Sequence, residues 1–331
     1  MRWTPTVLKA VARVGCCLGL AVVPGELNAQ DYPSRAITLV VPSAAGGPAD
    51  VSARLIADRM SAALGQRVVV EDLPGAGGTI GMAKVARAAP DGYTLLIHQT
   101  GFAITPALYA KLSFDTEKDF ATVGLVNQSS VYFVGRKSLA ARNFAELVAW
   151  MKGPGKPAKF AHPGKGTTGH LQTVVLLRAI GVDANLIPYR GIAPAVNDLL
   201  GEHIDVTQVG AATSGPLIRE GKIKAYASTG AERDAAFPNI PTFAELGYKQ
   251  LSRPFWHALF APAATPRPIL EKLNAALRET LADPDVQKNY ARSRVAAYPE
   301  AQRSIEAANA YVQAELAFWG KVVRDNDIKV E

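Results

Sequence analysis

The residues best suited to binding chemistry lie in glycine-rich turns between strands and helices. One such turn, Ser43-Ala44-Ala45-Gly46-Gly47, follows an apolar strand, and Asp50 lies near the start of the next helix. Small residues let the backbone approach a ligand closely, and unpaired N–H groups at a helix N-terminus attract anions. The sequence therefore predicts an anion-binding turn. The alternative is a plain strand-to-helix turn with Asp50 as a simple cap.

Two later turns have the same character. Gly164-Lys165-Gly166-Thr167-Thr168 combines glycines, two hydroxyls and a helix start, and Lys165 can add a charge-assisted contact to an anion. Arg190 and Gly191 form a further strand-to-helix turn. The guanidinium of Arg190 matches the geometry of a carboxylate, and an ordinary exposed arginine is the alternative. We predict that both turns contribute to a ligand site.

Motifs for covalent, metal or nucleotide chemistry are missing or incomplete. In the glycine-rich segment 74–81 the dinucleotide pattern G-x-G-x-x-G fails at Ile80. There is no G-x-S-x-G and no H-E-x-x-H motif. His162 and His170 are eight residues apart, which is not a zinc-binding spacing, and we expect His170 to be structural. We therefore expect no enzyme activity, no metal and no cofactor.

Composition and the N-terminal segment indicate an exported protein. The 331 residues carry a formal net charge of +7, and lysines and arginines are scattered among acids, which argues against nucleic-acid binding. Residues 1–29 have a basic start, a short apolar run at 14–23 and a small residue, Ala29, at the end. We read them as a cleaved signal peptide, with an uncleaved anchor as the alternative. Cys16 and Cys17 leave with it, so the mature chain has no cysteine and a net charge of +5.

The turns are positioned by short strands that alternate with helices. This rhythm predicts mainly parallel sheets with helices on both faces. Strands are predicted at 36–41, 67–70, 93–98, 131–134, 159–161, 185–189, 204–209, 222–228 and 256–261. Helices are predicted at 49–64, 79–88, 144–152, 168–180, 193–200, 214–220, 266–282 and 299–324. Periodicity leaves two domain arrangements open: a break at 153–157, or a chain that leaves domain 1 near residue 130 and returns near residue 253.

A set of short motifs is spread over residues 31–325. They are Tyr32-Pro33-Ser34-Arg35, Ala45-Gly46-Gly47 with Asp50, Leu64-Gly65-Gln66, Pro74-Gly75-Ala76-Gly77-Gly78, Pro90-Asp91-Gly92-Tyr93, Pro188-Tyr189-Arg190-Gly191, Asp198-Leu199-Leu200-Gly201 and Pro241-Thr242-Phe243-Ala244-Glu245-Leu246-Gly247. In the order and spacing of these motifs the chain resembles the Bug receptors (Bordetella uptake gene family), the substrate-binding components of tripartite tricarboxylate transporters. The resemblance implies an α/β, two-lobed periplasmic binding protein of the Venus flytrap, type II-like kind. It favours the discontinuous arrangement, with domain 1 at 31–130 plus 253–331 and domain 2 at 131–252.

The resemblance also assigns the site. Such receptors hold a ligand carboxylate between two facing loops, which match Ser43–Gly47 and Gly164–Thr168. Their cleft also takes in the stretch matching His98 to Phe102, from which we assign Gln99, Thr100 and Gly101 to the site, and the Gly191 turn. Several departures from the family bear on the ligand: Ala161 and His162 stand where two serines are usual, Thr105 stands where an Asn is usual, and Thr207 and Gln208 stand where aromatics are usual. With Lys165, they lead us to expect a polar, anionic ligand with a second carboxylate or an amide.

The function expected from the resemblance is that of a periplasmic receptor, monomeric and not embedded in the membrane. It captures a small carboxylate and delivers it to the membrane permease of a tripartite tricarboxylate-type transporter. A ligand-sensing receptor that acts with a membrane sensor kinase is the alternative, because it would share the fold and the cleft.

Overall fold

The structure is a computed structural model, and it describes residues 32–155 and 157–328. The predicted signal peptide, with Cys16 and Cys17, lies outside the described residues. The strands are β1 (Ile37–Val41), β2 (Val68–Asp72), β3 (Thr94–Gln99), β4 (Phe120–Ser129), β5 (Val131–Arg136), β6 (Ala158–His162), β7 (Ala184–Pro188), β8 (Val206–Gly210), β9 (Ile223–Ser228), β10 (Phe255–Pro262) and β11 (Ala296–Ala297). The α-helices are α1 (Pro48–Leu64), α2 (Thr79–Ala86), α3 (Gly101–Leu108), α4 (Phe144–Lys152), α5 (Thr168–Ile180), α6 (Ile192–Leu200), α7 (Ala211–Arg219), α8 (Arg267–Ala282), α9 (Pro284–Arg292) and α10 (Ile305–Asp325).

The strands form two sheets, and the part of the chain built on each sheet is called a lobe below. The first sheet has six strands in the order β11-β4-β10-β3-β1-β2 and therefore draws on both ends of the described chain. The second has five strands in the order β7-β6-β8-β5-β9, all from the middle of the chain. The exact bounds of the two domains stay a prediction.

Both sheets are mixed, whereas the sequence predicted mainly parallel ones. In the first sheet β1 pairs in parallel with β2 and β3, but β10 is antiparallel to both β3 and β4. In the second sheet β6 pairs in parallel with β7 and β8, but β5 is antiparallel to β8 and β9. The antiparallel pairs all involve the strands next to the two crossings between the sheets. An apolar run predicts a buried strand but carries no information about its direction.

Apolar cores on the sheets hold the helices in place. In the first lobe, Phe102 stacks on Phe260, with ring centroids 4.0 Å apart, within a cluster that extends to α10. The second lobe has one cluster around Phe133 and Phe160 and another around Tyr132 on the opposite face of its sheet. Burying side chains of this size supplies the main stabilisation of each lobe, at roughly 25 cal/mol per Å² of apolar surface.

Most predicted elements are confirmed, some to the residue. Helices α4 and α5 have the predicted bounds, while α7 begins three residues before its predicted start. Four elements were not predicted: α3, β4, α9 and β11. Within 32–155 and 157–328, no helix has both the length and the apolar character needed to cross a membrane.

Candidate functional site

A cavity of about 560 Å³ lies between the two lobes and is called the interlobe cavity below. The first lobe contributes residues of α1, β4, β10 and α9 to its wall, and the second contributes residues of α5, α6, β8 and α7. Its volume is within the range of small-molecule sites. A solute in it would therefore touch both lobes.

The N-terminal ends of four helices reach the wall of this cavity. The wall contains Pro48 at the start of α1, Gly169 in the first turn of α5, Ile192 at the start of α6 and Ala211 at the start of α7. A helix N-terminus carries unpaired N–H groups and the positive end of the helix dipole. Four such ends make the cavity favourable to an anion without any cationic side chain.

A hydrogen-bonded polar group forms the wall on the first lobe. The register of β10 against β4 places His257 opposite Asn127. His257 Nδ1 lies 2.8 Å from Asn127 Oδ1, and Asn127 Nδ2 donates to Ser52 Oγ at 2.6 Å and to Tyr290 Oη at 3.1 Å. All four residues line the cavity. The group ties β4 and β10 to α1 and α9 and presents fixed polar groups to a ligand.

The rest of the wall is largely apolar. Val51 is 55% exposed, which is unusual for a large apolar side chain and is explained by its position in the wall. The other large apolar side chains of the wall are Leu55, Val131, Ile192, Phe255 and Val295. No described residue of the wall is a lysine, arginine, aspartate or glutamate.

The turn before α1 is shaped by Asp50. This side chain is only 4% exposed, and its Oδ2 accepts a hydrogen bond of 2.7 Å from the backbone N–H of Gly46. Its Oδ1 pairs with Arg54 Nε at 2.6 Å, and Arg54 also reaches Asp72. The carboxylate thus has two partners within the protein. It positions the turn, in which Gly46 has a φ of +78°.

Two histidines shape the turn before α5. His162 Nδ1 accepts from Gly164 N at 3.3 Å, and His170 Nδ1 accepts from Gly166 N at 3.2 Å. The two rings lie 4.5 Å apart. Burial lowers the pKa of His162, and burial with His162 and Lys165 nearby lowers that of His170 to about 4, so both rings are neutral at pH 7. His170 therefore has the structural role that the sequence predicted.

Threonine and glycine complete the same turn. Thr167 Oγ1 accepts from His170 N at 3.2 Å as the cap of α5 and donates to Gly164 O at 2.7 Å. Gly164 has a φ of +123°, and a Cβ on it would lie 3.3 Å from Tyr189 O. Gly191 N donates to Pro163 O, which joins this turn to the one before α6. Backbone contacts thus hold the two second-lobe turns together.

The predicted site residues divide into three groups. Gly46 and Gln208 line the interlobe cavity. Flanking it along the chain, without lining it, are Ser43, Ala44, Ala45, Gly47, Asp50, Gly164, Gly166, Thr167, Thr168 and Gly191. The remaining predicted residues do not line the cavity either: Gln99, Thr100, Gly101, Lys165, Arg190 and Thr207. The strand register nevertheless places Gln99 opposite His257, on the same face of the first sheet.

That last group has definite positions in the structure. Thr207 is fully buried and donates to Ala161 O at 2.9 Å, and Thr100 Oγ1 accepts from Trp256 N. Arg190 is exposed, as in the alternative interpretation. Lys165 is also exposed and lines a separate crevice of about 310 Å³ beside the end of α10. The lysine that the sequence offered for a second carboxylate is therefore not part of the cavity wall.

Sequence reasoning missed the polar group on the first lobe. His257, Asn127 and Tyr290 belong to no glycine turn and are far apart in the chain, so only strand register and helix packing bring them together. The available signal was a histidine inside an apolar strand, which by itself does not distinguish a ligand contact from a buried structural residue. In the part of the chain that the structure describes, no three His, Cys, Asp or Glu side chains are grouped to hold a metal ion.

Comparison with known proteins identifies a family and similar folds. The tripartite tricarboxylate transporter family receptor, TctC, matches residues 52–328. A UPF0065 protein from the TAR-I ttuE-ttuC' intergenic region of Agrobacterium vitis is 39% identical over 313 residues, which is 94% of this chain and 90% of that protein. The periplasmic binding protein BugD is 37% identical, with a TM-score of 0.76 over 90% of this chain and 100% of BugD. MatC from Rhodopseudomonas palustris with bound malate is 35% identical, with a TM-score of 0.75 over 88% of this chain and 100% of MatC.

Proposed function

The chain belongs to the tripartite tricarboxylate transporter receptor family, and we propose that it is a periplasmic receptor that captures a small carboxylate in the interlobe cavity. It then delivers the solute to the membrane permease of a tripartite tricarboxylate-type transporter. The solute is bound without chemical change, since the receptor's task is capture and release.

One observation carries this proposal: the N-terminal ends of α1, α5, α6 and α7 all reach one cavity. Their N–H groups and dipoles favour a carboxylate. Among the residues that the structure describes, the wall contains no acidic side chain that would repel it. A malate-bound relative of the same fold agrees with this choice of ligand class.

Binding couples to closure because the four helices come from both lobes. A carboxylate first docks on one lobe, and the helix ends of the other lobe reach it only when the lobes approach. Ligand that contacts both lobes therefore stabilises the closed form relative to the open form. The permease then recognises the receptor in its closed form.

An amide in the ligand has groups to pair with in the cavity wall, whereas a second carboxylate has no cationic side chain there among the described residues. Gln172 and Gln208 lie in the cavity wall, so amide groups are available to a polar substituent of the ligand. Lys165 lies in a different crevice. We therefore propose a ligand with one carboxylate held by the helix ends and a remainder that needs no cation.

The test is a ligand screen on the purified mature protein. Thermal unfolding is measured with carboxylates, neutral sugars and organic cations, and mass spectrometry identifies any solute that copurifies with the protein. We expect carboxylates alone to raise the melting temperature. Stabilisation by sugars or cations without any by carboxylates would contradict the proposal.

A further inference from the structure

One residue of the interlobe cavity wall has a buried side-chain polar atom without a partner among the described residues. The side chain of His257 is buried, with 4% of the residue exposed, and no described group pairs with its Nε2. Every other unpaired buried side-chain polar atom among the described residues belongs to a residue outside this wall. A buried polar atom without a partner is destabilising, so a ligand group that pairs with it is preferred over one that does not.

The contacts of Asn127 define what His257 can offer a ligand. Both hydrogens of Asn127 Nδ2 are used, one by Ser52 Oγ and one by Tyr290 Oη. Asn127 therefore presents its Oδ1 to His257, 2.8 Å from Nδ1. Since Oδ1 can only accept, Nδ1 carries the hydrogen and Nε2 is left with a lone pair. The atom is thus a hydrogen-bond acceptor that needs a donor.

The charge of the ring agrees with this role. Burial lowers the pKa of His257 to about 4, so the ring is neutral at pH 7 and Nε2 keeps its lone pair. A ligand carboxylate cannot donate to it. A second ligand group, separate from the carboxylate, is required.

The wall restricts what this second group is. An ammonium group would enter a cavity whose described wall has no carboxylate to pair with it, and an unpaired buried charge is costly. A hydroxyl donates one hydrogen bond without bringing a charge. The body of the ligand faces the apolar side chains Val51, Leu55 and Phe255.

We propose that the interlobe cavity selects hydroxylated carboxylates with an apolar body, and that His257 Nε2 accepts the hydrogen bond of the ligand hydroxyl. This inference rests on the proposed function and adds the substrate class to it. His257 is the specificity-determining residue. It distinguishes a hydroxy acid from the same acid without the hydroxyl.

The chain provides a matched control in His98. This histidine is also buried, and its Nε2 also lacks a partner among the described residues. It pairs in register with Ala258, the neighbour of His257 on β10, so it points to the opposite face of the sheet. It contacts Phe102 and does not line the interlobe cavity.

The experiment compares matched ligand pairs by isothermal titration calorimetry. The pairs are 2-, 3- and 4-hydroxybenzoate against benzoate, and 2- and 3-hydroxyhexanoate against hexanoate. We expect the wild type to bind at least one hydroxy acid ten times or more tightly than its partner, because a site built to pair a hydroxyl rejects the analogue without it. His257→Phe should lose this preference and still bind the unhydroxylated acids, His257→Gln should retain part of it, and His98→Leu should retain all of it.

Each other outcome has a defined meaning. Equal binding within every pair by the wild type, or a preference that persists in His257→Phe, overturns the role of His257 and leaves the carboxylate receptor intact. If no carboxylate binds the wild type, the proposed function fails and this inference fails with it. Retained binding of the unhydroxylated acids by His257→Phe shows that this variant is folded.

Discussion

Arg294 and Asp234 form an ion pair of 2.6 Å that joins the two lobes. Arg294 lies just before β11 of the first sheet, and Asp234 follows β9 of the second. Tyr132 Oη also donates to Asp234, at 2.9 Å, and the Arg294 guanidinium lies over the ring of Phe237. Burial alone would raise the pKa of Asp234, but the N–H of Ala236, Tyr132 and Arg294 together lower it, so the carboxylate is charged at pH 7.

Replacing Arg294 should destabilise the protein and so measure what this ion pair contributes to the free energy of unfolding. Arg294→Met is expected to lower the free energy of unfolding by roughly 1–3 kcal/mol, because it leaves a mostly buried carboxylate without its cation. Urea denaturation of Arg294→Met, Asp234→Asn and the double variant gives the coupling energy. We expect a coupling of at least about 0.5 kcal/mol, and strictly additive effects would show that the pair contributes nothing.

A side chain on Gly164 should impair ligand binding more than folding. Its φ of +123° is unfavourable for valine, and the new Cβ would press on Tyr189 O in the turn before α6. We expect Gly164→Val to weaken carboxylate binding at least tenfold in calorimetry with a small change in melting temperature. Gly221→Val is the control, since Gly221 also has a positive φ but faces open space and belongs to none of the turns that flank the cavity. Equal carboxylate affinity in Gly164→Val and the wild type would show that this turn is not part of the binding site.

Loss of the Asp50 carboxylate should loosen the turn before α1. The substitution Asp50→Ala removes the acceptor of the Gly46 N–H and one of the two carboxylates paired with Arg54. We expect the free energy of unfolding to fall by about 1–2 kcal/mol, as for the loss of a helix cap, and carboxylate affinity to fall several-fold. Asp58→Ala, on the exposed face of the same helix, should change neither quantity. If Asp50→Ala binds like the wild type, the shape of this turn does not matter for the ligand.

Acid should destabilise the protein through its buried histidines. The pKa of His257 is about 4 in the folded state, below the unfolded value near 6.5, so the unfolded state binds more protons below pH 6.5. The free energy of unfolding is therefore unaffected by His257 above about pH 6.5 and falls as the pH drops toward 4. At pH 5, protonation of His257 in the unfolded state lowers the free energy of unfolding by about 2 kcal/mol.

The variant His257→Phe isolates this contribution. Chemical unfolding at pH 7 and pH 5 should show a smaller loss of stability in the variant than in the wild type, by about that amount. His98, whose pKa burial lowers to about 3 with His257 as a second cause, keeps destabilising both proteins on acidification. An identical loss in wild type and variant would show that His257 titrates as an exposed histidine does.

Local signals in the sequence were sufficient to predict many helices and strands and the loops beside the cavity. Helix α5 could be bounded correctly because Thr167 caps it and Gly181 ends it with a φ of +63°. Helix α3 escaped prediction because it is apolar on all sides and contains Pro106, so it has no amphipathic pattern. The mixed direction of the strands was not predicted either, since strand direction depends on pairing between distant segments.

The sequence predicted which turns lie beside the cavity, but it predicted less well which side chains line the cavity. Glycine turns at Gly46 and Gly164 were found from sequence because helix starts have a local signature. Side-chain direction within a turn has no such signature, so Lys165 was assigned to the ligand although it lines another crevice. His257 contacts Asn127 in the cavity wall only because β10 pairs with β4, and no local sequence pattern indicates that pairing.

The position of β10 also determines the order in which the protein is able to fold. This strand lies between β4 and β3, so the first sheet has a gap until residues 255–262 have been synthesised. The second sheet uses only strands between residues 131 and 228 and has all of them earlier. Contacts between distant segments slow folding, so the first lobe should be the last to become native and should remain accessible to export factors and proteases for longest.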